Sequence, residues 1–193
     1  MKRVEFYYDY SSPFAYLGST QIERVAEEHG AEVVFKPFLL GALFKMIGTP
    51  LIPLHSFPEV KQRYQLIDMQ RWATHWDVPL LFPSTFPLNT VDALRVTLAV
   101  DVADRPALTH RLMKLCWTED RIPDEEGLRA CLEDVGLDPE LVAARKDPEI
   151  KQRLFAATQE AVDAGVCGAP TFVVNGELFW GQDRLHFVAD ALA

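Results

Sequence analysis

A strand that runs into Ser-Pro, and from there into a helix and a second strand, constrains this chain more than any other feature. Lys2 to Tyr8 alternates Val4, Phe6 and Tyr8 with more polar neighbours and is dense in aromatics, the pattern of a strand. Ser12 is a favoured helix N-cap, and Pro13 suits the first helical position, where its missing N–H costs nothing. Phe14, Leu17, Ile22, Val25 and Ala26 form a ragged apolar face that predicts a helix to about His29, stopped by Gly30. Glu32 to Leu40 predicts a second strand, closed by Pro37 and Gly41. The connection is long enough for a parallel crossover.

The other end of the chain is equally regular. Thr171–Val174 and Glu177–Trp180 are β-rich runs separated by Asn175-Gly176, the strongest short hairpin signal. After Gly181 a final helix is predicted, with Asp183 near its start and Leu185, Phe187, Val188 and Leu192 apolar. The middle holds amphipathic stretches at Val60–His75, Thr90–Ala103, Ala107–Glu119, Glu125–Val135 and Pro148–Asp163, bordered by Pro87, Pro106, Pro123, Pro139 and Pro148. The order β-α-β, helices, β-β-α predicts an α/β protein: a thioredoxin-like fold from residues 1–56 and 165–193, with 57–164 as a large all-helical insertion.

Composition narrows the function classes. The 193 residues are 49% hydrophobic and 24% charged, the profile of a globular protein with a real core, and carry a net charge of −9. An acidic chain without a basic stripe is a poor nucleic-acid binder. No apolar run approaches the ~20 residues that span a bilayer. The first residues lack the apolar segment of a signal peptide, and a cytoplasmic protein is expected. Cys116, Cys131 and Cys167 are odd in number and widely spaced, so they form neither a metal pattern nor a disulfide framework. Cys116 and Cys131 are expected as buried apolar fillers, and Cys167 is read the same way rather than as an exposed thiol.

Three short segments carry chemistry. In a thioredoxin-like fold, Ser12-Pro13-Phe14-Ala15 occupies the place where redox enzymes carry Cys-X-X-Cys. A hydroxyl and a methyl cannot form a disulfide, which excludes disulfide exchange at this site. A hydroxyl at a helix N-terminus suits an anion, although Ser-Pro there is also ordinary capping. Gly168-Ala169-Pro170-Thr171 enters the third strand. It is either edge punctuation or the cis-proline segment of the fold, whose preceding backbone pairs with an extended peptide. Asp183 is either a helix cap or the acceptor of a ligand's α-ammonium. Together they describe a site for a small anionic peptide bearing a thiol.

Six blocks then identify a relationship that spans nearly the whole chain. They are Phe6-Tyr7-Tyr8-Asp9-Tyr10-Ser11-Ser12-Pro13-Phe14, Pro37-Phe38-Leu39-Leu40-Gly41, Asp68-Met69-Gln70-Arg71-Trp72-Ala73, Phe86-Pro87-Leu88-Asn89-Thr90, Gly168-Ala169-Pro170-Thr171-Phe172 and Trp180-Gly181-Gln182-Asp183-Arg184-Leu185. In this order they resemble the 2-hydroxychromene-2-carboxylate isomerases of the DsbA-like superfamily, close relatives of the kappa-class glutathione transferases.

The resemblance implies a glutathione-dependent cis–trans isomerase of aromatic catabolism, working as a homodimer, with a transferase or a non-catalytic glutathione-binding module as alternatives. Ser12, before Pro13, matches the catalytic serine that hydrogen-bonds the glutathione sulfur. Ala169 and Pro170 match the backbone that pairs with the tripeptide. Asp183, with Arg184 beside it, matches the γ-glutamyl end, and Lys61 matches a lysine near the glycine carboxylate. The family has Gly-Asn where this chain has Gly48-Thr49, so a single hydroxyl replaces the two ends of an amide. Phe14, Trp72, Phe86 and Asn89 with Arg71 are candidates for the aromatic carboxylate substrate, with core packing or surface solvation as the competing role. Physically, a helix N-terminus contributes about 0.3–1 kcal/mol to a nearby anion, and a hydrogen bond to a charged group roughly 1.5–3 kcal/mol. A thiol with a free pKa near ~8.5 then becomes mostly thiolate at neutral pH. Such a thiolate can add to a conjugated double bond, allow rotation and leave.

Overall fold

The computed structural model describes residues 2–193. The first strand forms as β1 (Lys2–Tyr8), and Val4, Phe6 and Tyr8 are fully buried. Both of its edges are paired. β2 (Ala31–Pro37) runs parallel to it in the register Val4↔Val33 and Phe6↔Phe35. β3 (Thr171–Val174) runs antiparallel, with Phe6 opposite Phe172. β4 (Glu177–Trp180) closes the hairpin with β3, giving a sheet of order β2-β1-β3-β4. Asn175 and Gly176 both take positive φ, 52° and 85°, as a tight hairpin between right-twisted strands demands.

One face of the sheet is nucleated by aromatics. Phe6 stacks on Tyr8 at 4.9 Å and on Phe172 at 5.4 Å, and Phe35 meets it edge-on at 5.5 Å. Truncating a side chain buried this deeply typically costs about 3–5 kcal/mol. The connection between β1 and β2 is α1 (Pro13–Glu28), which buries Leu17, Ile22, Val25 and Ala26. Its Gly18 lets the helix approach closely: a Cβ there would lie 3.2 Å from both the Pro170 ring and the Phe172 ring.

After β2 come α2 (Leu40–Ile47), a 3-10 turn at Pro53–Ser56, and α3 (Glu59–His75). Then follow α4 (Val91–Ala99), α5 (Arg105–Thr118), α6 (Glu125–Asp134), a 3-10 segment at Pro139–Lys146, and α7 (Pro148–Asp163). The chain ends with a 3-10 turn at Gln182–Arg184 and α8 (Leu185–Leu192). A single hydrophobic core runs from Phe6 and Tyr8 through Leu94, Leu112, Trp117 and Leu128.

The departures from the sequence expectation have local causes. The second strand stops at Pro37, not Leu40, because Leu40 opens α2, donating its amide to the Asp9 carboxylate at 2.8 Å. The helix expected over Thr90–Ala103 ends at Ala99, where Val100 turns to extended backbone with ψ 159°. The next helix starts at Arg105 rather than Ala107, taking Pro106 into its first turn, where a proline is tolerated. Asp183 does not cap α8. It lies in the preceding 3-10 turn, and its carboxylate accepts from the Arg184 guanidinium at 2.5 Å. Cys116 and Cys131 are buried as expected, but Cys167 is exposed, on the loop between α7 and the Gly168–Pro170 segment.

Candidate functional site

The site grows from the turn that links β1 to α1. Ser12 has extended dihedrals, φ −101° and ψ 115°, and its Oγ accepts from the Ala15 amide at 3.1 Å, so it caps α1. The same hydroxyl donates to the Ala169 carbonyl at 2.8 Å, although it is 5% exposed. One side chain therefore joins the start of α1 to the loop that enters β3. The Ala169–Pro170 bond is cis, as expected from the sequence, and so is Phe86–Pro87, which the sequence reading did not anticipate.

Two backbone donors beside Ser12 have no protein partner among the described residues: the amide of Phe14 in the first turn of α1, and the amide of buried Ala169. The Phe14 amide is one of the orphan donors that any helix start leaves, and the buried Ala169 amide, which would ordinarily be paired, is open to a ligand. With the Ser12 hydroxyl they make a donor set that suits a thiolate and a peptide carbonyl, which is the chemistry a glutathione-like tripeptide presents. The Ala169 carbonyl, already accepting from Ser12, keeps a second lone pair.

The C-terminal turn is tied to the same place. The Gly181 amide donates to the Pro170 carbonyl at 2.9 Å, which brings Gln182–Arg184 against α1 with half-buried Asp183 and exposed Arg184. Trp180, 60% exposed, stands beside Gly168, where a Cβ would fall 2.5 Å from its indole nitrogen. Any larger residue there would have to displace the Trp180 ring.

The aromatic candidates arrive through the helical segments. Phe86 packs on Phe82 at 5.0 Å, and Phe82 meets Trp117 edge-on at 6.0 Å. The Trp117 indole N–H donates to the Tyr10 carbonyl at 2.8 Å, two residues before Ser12. Asn89 precedes Thr90, whose hydroxyl donates to the Asp9 carboxylate at 2.6 Å. The loop carrying Phe86 and Asn89 is thereby pinned to the turn carrying Ser12. Phe14 is half-buried at the start of α1. Beneath the turn, the Tyr8 and Thr109 hydroxyls pair at 2.7 Å and those of Tyr10 and Thr97 at 2.6 Å. Burial pushes the Tyr8 phenol up to about 12 and the Tyr10 phenol well above its ordinary value.

Of the remaining candidates, Lys61, Arg71 and Trp72 lie on α3, which packs against α1, and Thr49 follows α2. Trp72 is half-buried and packs on Trp76 at 4.9 Å. Arg71 is exposed, its guanidinium 5.9 Å from the Tyr64 ring, and the exposed Lys61 ammonium sits 3.8 Å over the Phe57 ring. The Thr49 amide is bonded to the Phe44 carbonyl at 2.9 Å. No contact links Lys61 or Arg71 directly to Ser12.

The sequence reading missed Asp9 and Trp117. The signal for Asp9 was present: a carboxylate inside an aromatic run, Phe6 to Tyr10, has no local reason to be there. Trp117 offered no signal, because its partner is 107 residues away.

Comparison with known proteins follows this geometry. Residues 3–193 match the DSBA-like thioredoxin domain family. The 2-hydroxychromene-2-carboxylate isomerase of Sphingobium xenophagum is 31% identical over 99% of this chain and 98% of its own. Glutathione S-transferase kappa 1 of Caenorhabditis elegans is 27% identical over 100% of this chain and 91% of its own. A solved 2-hydroxychromene-2-carboxylate isomerase superposes with a TM-score of 0.89 at 27% identity, covering 98% of this chain and 94% of the other. The chain belongs to the DSBA-like thioredoxin-domain family and, within it, groups with the 2-hydroxychromene-2-carboxylate isomerases, whose relatives are the kappa-class glutathione transferases.

Proposed function

We propose that the chain is a glutathione-dependent isomerase that converts 2-hydroxychromene-2-carboxylate to trans-o-hydroxybenzylidenepyruvate. The observation that carries this reading is Ser12: a buried hydroxyl at the N-cap of α1, 2.8 Å from the Ala169 carbonyl, in the place where disulfide enzymes of this fold need a thiol. Full-length kinship with proteins named for this reaction supports the substrate, and kinship with proteins named glutathione transferases supports the thiol.

When bound, glutathione supplies a thiolate nucleophile for reversible addition to the substrate's conjugated double bond. The Ser12 hydroxyl turns from the Ala169 carbonyl to donate to sulfur, and the α1 N-terminus with the free Phe14 amide stabilises the anion. Ser12 acts as a donor, not as a nucleophile: no histidine partners its hydroxyl. The Ala169 amide pairs with the peptide, and Asp183 accepts from the γ-glutamyl ammonium with Arg184 alongside. Thr49 and Lys61 contact the remainder of the tripeptide. Phe14, Trp72, Phe86 and Asn89 form the aromatic slot, and Arg71 receives the substrate carboxylate. The protein works in the cytoplasm as a homodimer, each protomer a thioredoxin-like domain of residues 1–56 and 165–193 with 57–164 as its helical insertion.

The test is turnover of the chromene carboxylate with catalytic glutathione. Glutathione-dependent trans product without glutathione consumption is the expected result. Stoichiometric consumption identifies a transferase instead, and binding without turnover identifies a binding module.

A further inference from the structure

The proposed chemistry leaves one buried carboxylate unused. Asp9 is 1% exposed. Its Oδ1 accepts from the Ser11 amide at 3.0 Å and from the Thr90 hydroxyl at 2.6 Å, and its Oδ2 accepts from the Leu40 amide at 2.8 Å. Its own carbonyl accepts from the Ser12 amide at 3.1 Å. All of these side-chain partners are neutral, whereas a buried carboxylate ordinarily needs a cation beside it. Burial pushes the carboxyl up from its ordinary value, and the Thr90 hydroxyl and the two amides pull it back. A turn needs no such group, because Asn or Ser would close it without burying a charge.

What the carboxylate gains is the identity of its donors. Each belongs to a different ligand-facing segment. Ser11 adjoins Ser12. Thr90 ends the loop that carries Phe86 and Asn89, and Leu40 opens α2, which leads to Thr49. Thr90 also occupies the N-cap position of α4, yet its hydroxyl makes no cap bond there and donates to Asp9, while the Asn89 Oδ1 accepts from the Val91 amide at 3.3 Å. The Thr90 hydroxyl thus serves a contact 81 residues away rather than its own helix.

We propose that Asp9 is a positioning residue that holds the aromatic loop ending at Thr90 in register with the turn carrying Ser12, so that substrate and thiol meet at reacting distance. The inference rests on the isomerase reading above and adds the element that aligns the two halves of its site. Asp9 touches neither ligand; it acts through Ser11, Thr90 and Leu40.

Thr90→Val severs only the loop-side arm and nearly conserves volume, and Thr90→Ser keeps the hydroxyl. Three quantities are measured for wild type and both variants: kcat for the chromene carboxylate, glutathione affinity by calorimetry, and amide hydrogen exchange. In Thr90→Val, kcat falls roughly tenfold or more, as misplacement of reacting groups entails, while glutathione affinity holds. The Ser11 and Leu40 amides exchange faster, and those of Val4–Tyr8 do not. Thr90→Ser restores kcat. A Thr90→Val protein with a lowered melting temperature but wild-type kcat overturns the inference, as does an equal loss of kcat in Thr90→Ser. A fall in glutathione affinity that matches the fall in kcat also overturns it. If wild type does not turn over the chromene carboxylate, the isomerase reading fails on that observation alone. The coupling is then decided by exchange: unchanged Ser11 and Leu40 amides in Thr90→Val refute it, and faster exchange upholds it.

Discussion

The turn carrying Ser12 and the outer face of α3 both hold residues assigned to ligands, but they are built in opposite ways. At the turn, Asp9, Tyr10 and Ser12 are buried, and their polar groups are bonded to residues far along the chain: Thr90, Thr97, Trp117 and Ala169. On α3, Val60 is 76% exposed and Tyr64 54%, only Met69 and Ala73 are buried, and Lys61 and Arg71 rest on exposed or half-buried rings of their own neighbourhood. The first region is fixed by several long-range hydrogen bonds within a buried setting. The second can steer and shield a ligand but not fix it. Under the proposed function, chemistry falls to the turn and capture to α3.

The largest expected effect breaks the inner region outright. Burial raises the Tyr8 and Tyr16 phenols from the ordinary 10.0 to about 12. Between those values the unfolded chain releases phenolic protons that the folded chain retains, so stability falls as pH rises above 10.0. Alkaline titration followed by circular dichroism and tyrosinate absorbance should show the buried phenols ionising only as the fold is lost. Ionisation of all tyrosines at the ordinary value, with the fold intact, would contradict the burial.

Next in size is Ser12→Ala. Removing a donor to a reacting anion costs on the order of 100-fold or more in kcat. Stability should fall by only about 1 kcal/mol, the value of an N-cap, read by thermal melting. Asp183→Asn follows. It removes a charge partner half-buried at the far end of the site, and glutathione affinity should weaken by about 1 kcal/mol in calorimetry. Since Asp183 does not cap α8, the melting temperature should hold. The smallest effect belongs to α3: Lys61→Gln should weaken glutathione binding less than about fivefold, and the difference should vanish at high salt. A Lys61 effect as large as that of Ser12, persisting in salt, would erase the distinction between the two regions.

Legibility in the sequence follows the same division. The β-α-β start and the Asn-Gly hairpin were readable because strand alternation, Ser-Pro capping and turn chemistry act within a few residues. Ser12 was readable for the same reason. Helix α2 was hidden inside the expected second strand, because the acceptor for its first amide lies 31 residues back, at Asp9. Asp183 looked like a cap because it stands near a helix start, whereas in the fold Arg184 claims its carboxylate. Cys167 looked buried by residue type, but only the path of the loop after α7 determines that it faces solvent. The Asp9 node, whose donors sit 2, 31 and 81 residues away, forms only when the fold closes.

The central claim is that Ser12 and the α1 N-terminus hold a bound thiol as thiolate. Ultraviolet difference titration of glutathione bound to wild type and to Ser12→Ala tests it directly, since the thiolate absorbs where the thiol does not. The bound thiol should show a pKa below neutrality or near it in wild type, and a return toward the free value near ~8.5 in Ser12→Ala. Identical titration curves for the two proteins, with glutathione bound in both, would contradict it.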